Sequence, residues 1–180
     1  MRLFIGLSLN APARENTATL AGRVQTRIPG RYVLPSNYHM TLAFLGEVSP
    51  DQLPEAAQAL DVFAAQFSAP RLILGPLSHF GKVSNAILIR TVASPVDLSA
   101  MHTALQKELS SRSLPFTDGP FSPHITLARH ADTSHTPLET LPVDPVSYVP
   151  AHVTLFLSAR DKENILRYTP LHTAAFHQPL

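Results

Sequence analysis

Two short motifs that pair a histidine with a threonine are the residues of this chain best suited to chemistry. The tetrapeptide HMTL at residues 39–42 recurs as HITL at residues 124–127. Random placement of the nine His in this composition predicts roughly 0.1 H-x-T-L match. Residues i and i+2 of a strand share a face, so each imidazole would lie beside a hydroxyl. The repeat therefore predicts two strands that face one substrate.

Two histidines on facing strands suit a displacement at phosphorus. A neutral imidazole can take a proton from the nucleophile, and an imidazolium can give one to the leaving oxygen. His39 and His124 can do this without a metal, because histidine titrates near neutral pH. Thr41 and Thr126 would donate hydrogen bonds to phosphate oxygens, and Arg129 could bind the same oxygens. A single H-x-T is usually structural, with its hydroxyl bonded locally, but two copies in matching contexts favour a catalytic role.

Length and composition place limits on the architecture and on the partners. A chain of 180 residues with 44% hydrophobic residues predicts one globular domain over residues 1–180. A formal charge of +1 is too small to indicate a broad basic surface for nucleic acid. An anionic partner must therefore be bound by a few residues at one site. The absence of Cys excludes disulfides, thiolate metal sites and a cysteine nucleophile.

The apolar run at the start of the chain has two interpretations. Residues 3–9 followed by Ala11-Pro12-Ala13 loosely resemble a secretory signal, but the alternation along the run is typical of a strand. No other apolar segment approaches the ~20 residues that a membrane span needs. We therefore expect a cytoplasmic protein with no membrane association.

The elements around the first motif follow in the order strand, helix, histidine strand. Residues 2–9 predict a strand, Asn10 caps a helix that runs to about residue 27, residues 31–34 form a short strand, and the motif strand ends at Gly46. A helix with a Ser49 cap and an apolar stripe then runs to about Ser68.

The second motif has the same sequence of elements before it. Residues 71–77 and 86–91 predict a hairpin, residues 94–97 begin a helix with Ser94 as the expected cap and Pro95 in the first turn, and the second histidine strand follows. His102 falls on the apolar face of that helix, where a partly buried structural histidine is the expected role. Leu3 precedes His39 by 36 residues and Ala86 precedes His124 by 38, which indicates a duplicated topology. Residues 131–150 predict a loop, and residues 148–157 and 164–171 predict two closing strands.

The extended motifs resemble a known enzyme family. H-x-T-x-x-F at residues 39–44 and H-x-T-x-x-R at residues 124–129 are similar to the motifs of the two-histidine (2H) phosphoesterases. Within these, the motifs specifically resemble those of the bacterial and archaeal RNA 2',3'-cyclic phosphodiesterases once named 2'-5' RNA ligases. It extends over nearly the whole chain, from RLFI at residues 2–5 to RYTPL at residues 167–171.

This resemblance implies a bilobal α+β fold, in which two antiparallel sheets line a cleft and are related by a pseudo-two-fold axis. It implies hydrolysis of a terminal 2',3'-cyclic phosphate on RNA to a 2'-phosphate, with no cofactor. His39 would be the general acid on the O3' leaving group and His124 the general base for water. Thr41 and Thr126 would bind phosphate oxygens. The remaining two substrate-binding residues would be Arg129 on the phosphoryl group and Phe44 stacked on the terminal base.

Strand alternation conflicts with two of these roles. Phe44 and Arg129 lie five residues after the start of each motif, on the face opposite its histidine. Each strand must therefore end, twist or bulge within three residues of its Thr if both side chains are to reach the cleft.

Other functions compatible with the motifs are a phosphodiesterase of small cyclic-phosphate nucleotides, a reversible 2'-5' RNA ligase and a non-catalytic RNA-end-binding module. A His-based metal site is disfavoured, because neither motif has a second His or a carboxylate at a ligand spacing such as H-E-x-x-H. We expect an RNA partner and no obligate protein partner, with the chain acting as a monomer.

Overall fold

The chain folds as an α+β protein with three helices beside a curled antiparallel sheet. The computed structural model describes residues 1–177. The strands in that range are β1 (Arg2–Ser8), β2 (Arg31–Tyr32), β3 (His39–Glu47), β4 (Leu72–Phe80), β5 (Ala86–Ala93), β6 (His124–Ala131), β7 (Val146–Tyr148), β8 (His152–Arg160) and β9 (Leu166–Ala175). The helices are α1 (Ala11–Gln25), α2 (Leu53–Ala65) and α3 (Leu98–Ser111).

The two histidine strands are neighbours at the centre of the sheet. The strand order is β7-β4-β5-β6-β3-β1-β8-β9, with β2 added to β6. β3 and β6 pair at one point, Met40 with Ile125. The two predicted sheets are thus the halves of one sheet, joined at this pair. Each half repeats the predicted strand, helix and histidine strand, as β1-α1-β3 and as β5-α3-β6.

The helices cross between the halves. α1 follows β1, yet Asn16 and Thr17 of α1 accept hydrogen bonds from Arg90 of β5. α3 follows β5, yet His102 of α3 donates to the carbonyl of Leu42 in β3. α1 and α3 therefore each pack on the half opposite to the strand before them, which interlocks the two halves, whereas α2 follows β3 and packs on β8 and β9 of the same half.

The helix starts follow the predicted capping chemistry with one correction. Asn10 caps α1, and its side chain accepts from a first-turn backbone N–H at 3.0 Å. α3 is capped by Asp97, whose carboxylate accepts from the backbone N–H of Ser99 and Ala100. Ser94 bonds within the preceding turn instead. Asp97 is adjacent to the first turn and accepts both bonds, so it displaces the cap expected from Ser94.

The segment predicted as a loop contains a strand, so that prediction was wrong. β7 lies within residues 131–150 and pairs with residues 72–74 of β4. Its three residues lie between Pro145 and Pro150, and a run of this length is too short to carry a period-two signal. The pairing extends the second half of the sheet, in which β7 holds the same outer position that β9 holds in the first.

One sheet runs through both halves of the chain. We therefore propose that residues 1–180 form one bilobal domain, of which residues 178–180 lie outside the described residues. Within residues 1–177, no helix combines the length and the apolar character that a bilayer span requires.

Candidate active site

The two motifs meet where β3 and β6 pair. Their central residues, Met40 and Ile125, lie opposite each other, and both are fully buried. Antiparallel pairing at this point places each motif histidine across from the threonine of the other motif. These four side chains are partly exposed and share the face opposite the core. The structure thus brings together the four motif residues predicted from the sequence.

Both imidazoles are oriented by the same local hydrogen bond. Nδ1 of His39 lies 2.7 Å from the carbonyl oxygen of Asn37, and Nδ1 of His124 lies 2.7 Å from that of Ser122. A carbonyl oxygen can only accept, so Nδ1 carries a hydrogen in each ring. A carbonyl two residues earlier thus sets the tautomer of each ring, in which Nε2 carries the lone pair when the ring is neutral.

The two Nε2 atoms differ in their present partners. Nε2 of His39 lies 3.0 Å from Oγ1 of Thr41, whose hydroxyl donates to it when the ring is neutral. Among the described residues, Nε2 of His124 has no hydrogen-bond partner. His124 thus presents an open lone pair, whereas that of His39 is occupied until a ligand displaces the Thr41 hydroxyl.

The ring of His39 is enclosed by aromatic side chains. Phe4 lies 4.6 Å from it between ring centroids, and Tyr168 lies perpendicular to it at 5.0 Å. Burial, together with smaller contributions from the positive charges of His124 and Arg129, lowers the pKa of His39 to about 4. The hydrogen bond to Asn37 opposes this shift. Neutral His39 is therefore the dominant form in the free protein near neutral pH.

His124 lies in a more open environment. Phe80 packs edge-on against its ring at 4.9 Å. Burial lowers the pKa of His124 below its ordinary value of 6.5, and the charge of Arg129 adds to this, against the hydrogen bond to Ser122. Arg129 thus acts electrostatically on both imidazoles.

A β-bulge in each histidine strand brings Phe44 and Arg129 to the face of the histidines. The pairing of β3 with β1 skips Leu42, and the pairing of β6 with β5 skips Leu127. Each skipped leucine and the alanine after it are both buried, which shifts the alternation by one residue. Phe44 is consequently 48% exposed, and Arg129 is exposed as well. Of the three possibilities that strand alternation required, an end, a twist or a bulge, both strands show a bulge.

The residues that enclose the histidine rings were missed by the sequence analysis. Phe4, Phe80 and Tyr168 lie in three strands far apart in the chain, and only the sheet brings them near the motifs. Gly6 was missed too, although a Cβ there would lie 2.8 Å from the carbonyl oxygen of Met40 and 3.3 Å from the His39 ring. The one available signal was a glycine inside the first strand, which is typical of close backbone approach.

Within residues 1–177, no group of three or more His, Asp or Glu side chains is arranged to hold a metal ion.

The chain is similar to a curated protein over nearly its whole length. It is 31% identical to the RNA 2',3'-cyclic phosphodiesterase of Escherichia coli (strain K12), over 98% of this chain and 97% of the relative. The chain belongs to the LigT-like, or 2H, phosphoesterases. The model of that family, "LigT like Phosphoesterase", matches residues 7–87. That range contains the first motif of this 2H phosphoesterase and ends before the second.

Further relatives and solved structures agree with this assignment. The RNA 2',3'-cyclic phosphodiesterase of Geobacillus stearothermophilus is 27% identical over 88% of this chain, and the chain spans about half of that relative's length (52%). The structure of E. coli LigT complexed with 3'-AMP has a TM-score of 0.69 at 28% identity and 98% coverage of both chains. TT0787 of Thermus thermophilus, at 24% identity, has a TM-score of 0.77 at the same coverage, which supports the fold.

Proposed function

We propose that this 2H phosphoesterase hydrolyses the 2',3'-cyclic phosphate at an RNA end to a 2'-phosphomonoester, by acid and base catalysis from its two histidines. The observation that carries the proposal is the matched pair of imidazoles, each with Nδ1–H held by a backbone carbonyl and Nε2 turned to the shared face. The names of the E. coli and Geobacillus relatives support the substrate. The 3'-AMP complex of E. coli LigT supports a ribonucleotide in the cleft.

The proposed reaction uses both Nε2 atoms. His124 takes a proton from water, and the water oxygen attacks phosphorus. The P–O3' bond breaks, and His39 gives its proton to O3', which leaves a 2'-phosphate and a 3'-hydroxyl. The hydroxyls of Thr41 and Thr126 and the guanidinium of Arg129 hold the negative charge on the non-bridging oxygens.

The environments of the two rings support this division of roles. The open lone pair of His124 suits the base. His39 must be protonated to act as the acid, although its pKa is about 4 in the free protein. An anionic phosphate raises the pKa of an adjacent imidazole, because it stabilises the charged form. We infer that the substrate itself restores the proton to His39.

These pKa shifts predict an acidic optimum for kcat/KM. The acid His39 loses its proton above its pKa of about 4, and the base His124 gains one below its own lowered pKa. The fraction of enzyme with His39 protonated and His124 neutral is greatest between the two pKa values. We therefore expect a bell-shaped kcat/KM profile with its maximum below pH 6.5. The kcat profile should lie at higher pH, because it reports the phosphate-bound state. Initial rates from pH 4 to 9 would measure both, and a kcat/KM maximum above pH 7 would contradict these roles.

The product identifies the reaction. A short RNA that ends in a 2',3'-cyclic phosphate, incubated with the protein and EDTA, is expected to yield the 2'-phosphate, identified by chromatography against both isomers. A 3'-phosphate would contradict the assignment of O3' as the leaving group, and loss of activity in EDTA would contradict metal independence.

Equal kcat/KM for a cyclic mononucleotide would favour the small-nucleotide alternative. A joined product on addition of a 5'-hydroxyl RNA would identify the reverse, ligating reaction.

Phe44 is proposed to stack on the terminal base. Its side chain is 48% exposed on the histidine face, at a centroid distance of 6.2 Å from Phe4. We expect Phe44→Ala to raise KM by about 5–150-fold with kcat nearly unchanged, since base stacking contributes about 1–3 kcal/mol. Phe44→Tyr should retain the wild-type KM, and Val62→Ala is a control at another exposed apolar side chain. An unchanged KM in Phe44→Ala, measured with an RNA oligonucleotide, would remove this contact from the proposal.

Cellular location, oligomeric state, cofactor and protein partners remain predictions. We propose that the chain acts as a cytoplasmic monomer without a cofactor or an obligate protein partner. Light scattering of the purified protein at several concentrations would test the monomer.

A further inference from the structure

The bulged part of β3 receives hydrogen bonds from outside the sheet. β3 pairs with β1 along one edge but with β6 only at Met40 on the other. The carbonyls that follow Met40 on the β6 side therefore need donors from outside the sheet. The carbonyl of the bulge residue Leu42 accepts from Nδ1 of His102 at 2.7 Å. The carbonyl of Phe44 accepts from the backbone N–H of Thr117 at 2.8 Å. A helix side chain and a loop thus hold the segment that presents Phe44.

In the second half of the sheet, the bulge of β6 is held by a backbone hydrogen bond. The carbonyl of Leu127, the bulge residue of β6, accepts from the backbone N–H of Val33 at 2.8 Å. Arg31 of β2 pairs across from Arg129. Each bulged strand is therefore held by the segment that precedes the histidine of the other strand. On β3, the side chain of His102 supplies the bond that a backbone N–H supplies on β6.

His102 also contacts the segment that leads into the second motif. Its ring stacks on Phe121, with centroids 4.4 Å apart and planes at 7°. Phe121 is followed directly by Ser122, whose carbonyl orients His124. One half-buried side chain thus touches both the bulge behind Phe44 and the approach to His124.

We propose that His102 is a positioning residue for both halves of the active site. Its Nδ1–H fixes the Leu42 bulge and hence the orientation of Phe44. Its flat ring fixes Phe121 and hence the carbonyl of Ser122. His102 has no contact with the substrate in this proposal, which rests on the proposed function for its kinetic consequences.

Two substitutions separate the two contacts. His102→Phe keeps a flat ring and removes the donor, so we expect KM for the RNA to rise about fivefold, a ratio typical of one lost neutral hydrogen bond, with kcat within twofold. His102→Gln keeps a donor and removes the ring. We expect it to lower kcat about fivefold with a smaller change in KM, because the carbonyl that orients His124 is less well held. A residue that only stabilises the fold would change neither parameter per mole of folded enzyme.

A double-mutant cycle tests whether His102 acts through Phe44. In the Phe44→Ala background, His102→Phe should cause no further rise in KM, because the side chain it positions is absent. His172→Phe is a matched control, since His172 lies in β9 and bonds Asp61 of α2. Additive effects of Phe44→Ala and His102→Phe on KM, or equal effects of His102→Phe and His172→Phe, would overturn the proposal.

Amide hydrogen exchange tests the positioning without any turnover. In His102→Phe, the N–H of Thr117 should exchange at least fivefold faster than in the wild type, because the bulge that offers it the Phe44 carbonyl is released. The N–H of Val33, which makes the corresponding bond on β6, is an internal control and should keep its protection. Unchanged Thr117 exchange would overturn the proposal even in an active enzyme. A wild-type protein that fails to hydrolyse the cyclic phosphate would refute the proposed function and leave the exchange result standing.

Discussion

His39→Ala and His124→Ala are each expected to lower the turnover of an RNA 2',3'-cyclic phosphate by about 10²–10⁴-fold, the contribution typical of a positioned general acid or base. Each substitution removes either the proton donor to O3' or the proton acceptor for water. The double variant should be hardly slower than the slower single variant, because the two residues act in the same step. Single-turnover rates on a short oligonucleotide would measure all three variants.

The control for these variants is another half-exposed histidine. His172→Ala removes an imidazole that bonds Asp61 on α2 and should change kcat less than twofold. Activity within tenfold of the wild type in either His39→Ala or His124→Ala would exclude that residue as the acid or base.

A modified leaving group separates the acid from the base. If sulfur replaces O3', the leaving thiolate needs no proton. His39→Ala should then recover most of the wild-type rate on this substrate, whereas His124→Ala should stay slow. Recovery of His124→Ala instead would reverse the two roles. The pKa of His39, the proposed acid, is lowered to about 4 in the free protein, so its role as proton donor needs this separate test.

Arg90→Met is expected to lower the free energy of unfolding by about 3–5 kcal/mol, because it leaves several buried hydrogen-bond acceptors without a donor and each such group costs about 1–3 kcal/mol. Arg90 is fully buried in β5, and all five of its N–H donors are used. The acceptors lie in α1, β4 and the segment before β7: the side chains of Asn16 and Thr17 and the carbonyls of Leu74, Gly75 and Asp144. Removal of the guanidinium leaves these groups without their donor.

The Arg90 network joins parts of the chain that the sheet alone does not connect. It ties α1, from the first half, to β5, the strand beside the second histidine strand. Arg90→Lys should recover little of the lost stability, because an ammonium has three donors and no planar fork.

Urea unfolding with linear extrapolation would measure these changes. The control is Arg71→Met at the start of the same hairpin, where the guanidinium is exposed and bonds one side chain, Ser147. We expect a change below about 0.5 kcal/mol there. A loss of less than about 1 kcal/mol in Arg90→Met would show that the buried network contributes little to stability.

Most of the helices and strands were predictable because their signals are local. Alternation, capping residues and the apolar stripe of α2 depend on neighbours within a few positions. β7 was missed because three residues between prolines carry no periodic signal, and the cap at Asp97 because two residues, Ser94 and Asp97, were both acceptable caps.

Arg90 illustrates what the sequence does not reveal. In ILIRTV, residues 87–92, one arginine interrupts an apolar strand, a pattern equally typical of a solvent-facing side chain. Its five acceptors are spread over residues 16–144, so only the packed structure identifies it as a buried junction. The same holds for His102, whose expected structural position on α3 is confirmed but whose two contacts, Leu42 and Phe121, come from other elements.

The sequence by itself determined the two H-x-T motifs, the chemistry open to them, and the duplicated order of elements, because residue type and spacing set these locally. It also required that each motif strand end, twist or bulge if Phe44 and Arg129 were to reach the cleft. The tertiary structure decided the location of those bulges, the aromatic surroundings that lower the pKa of His39, and the crossing of the helices between the halves. These features depend on contacts between residues far apart in the chain, and spacing along a sequence does not specify such contacts.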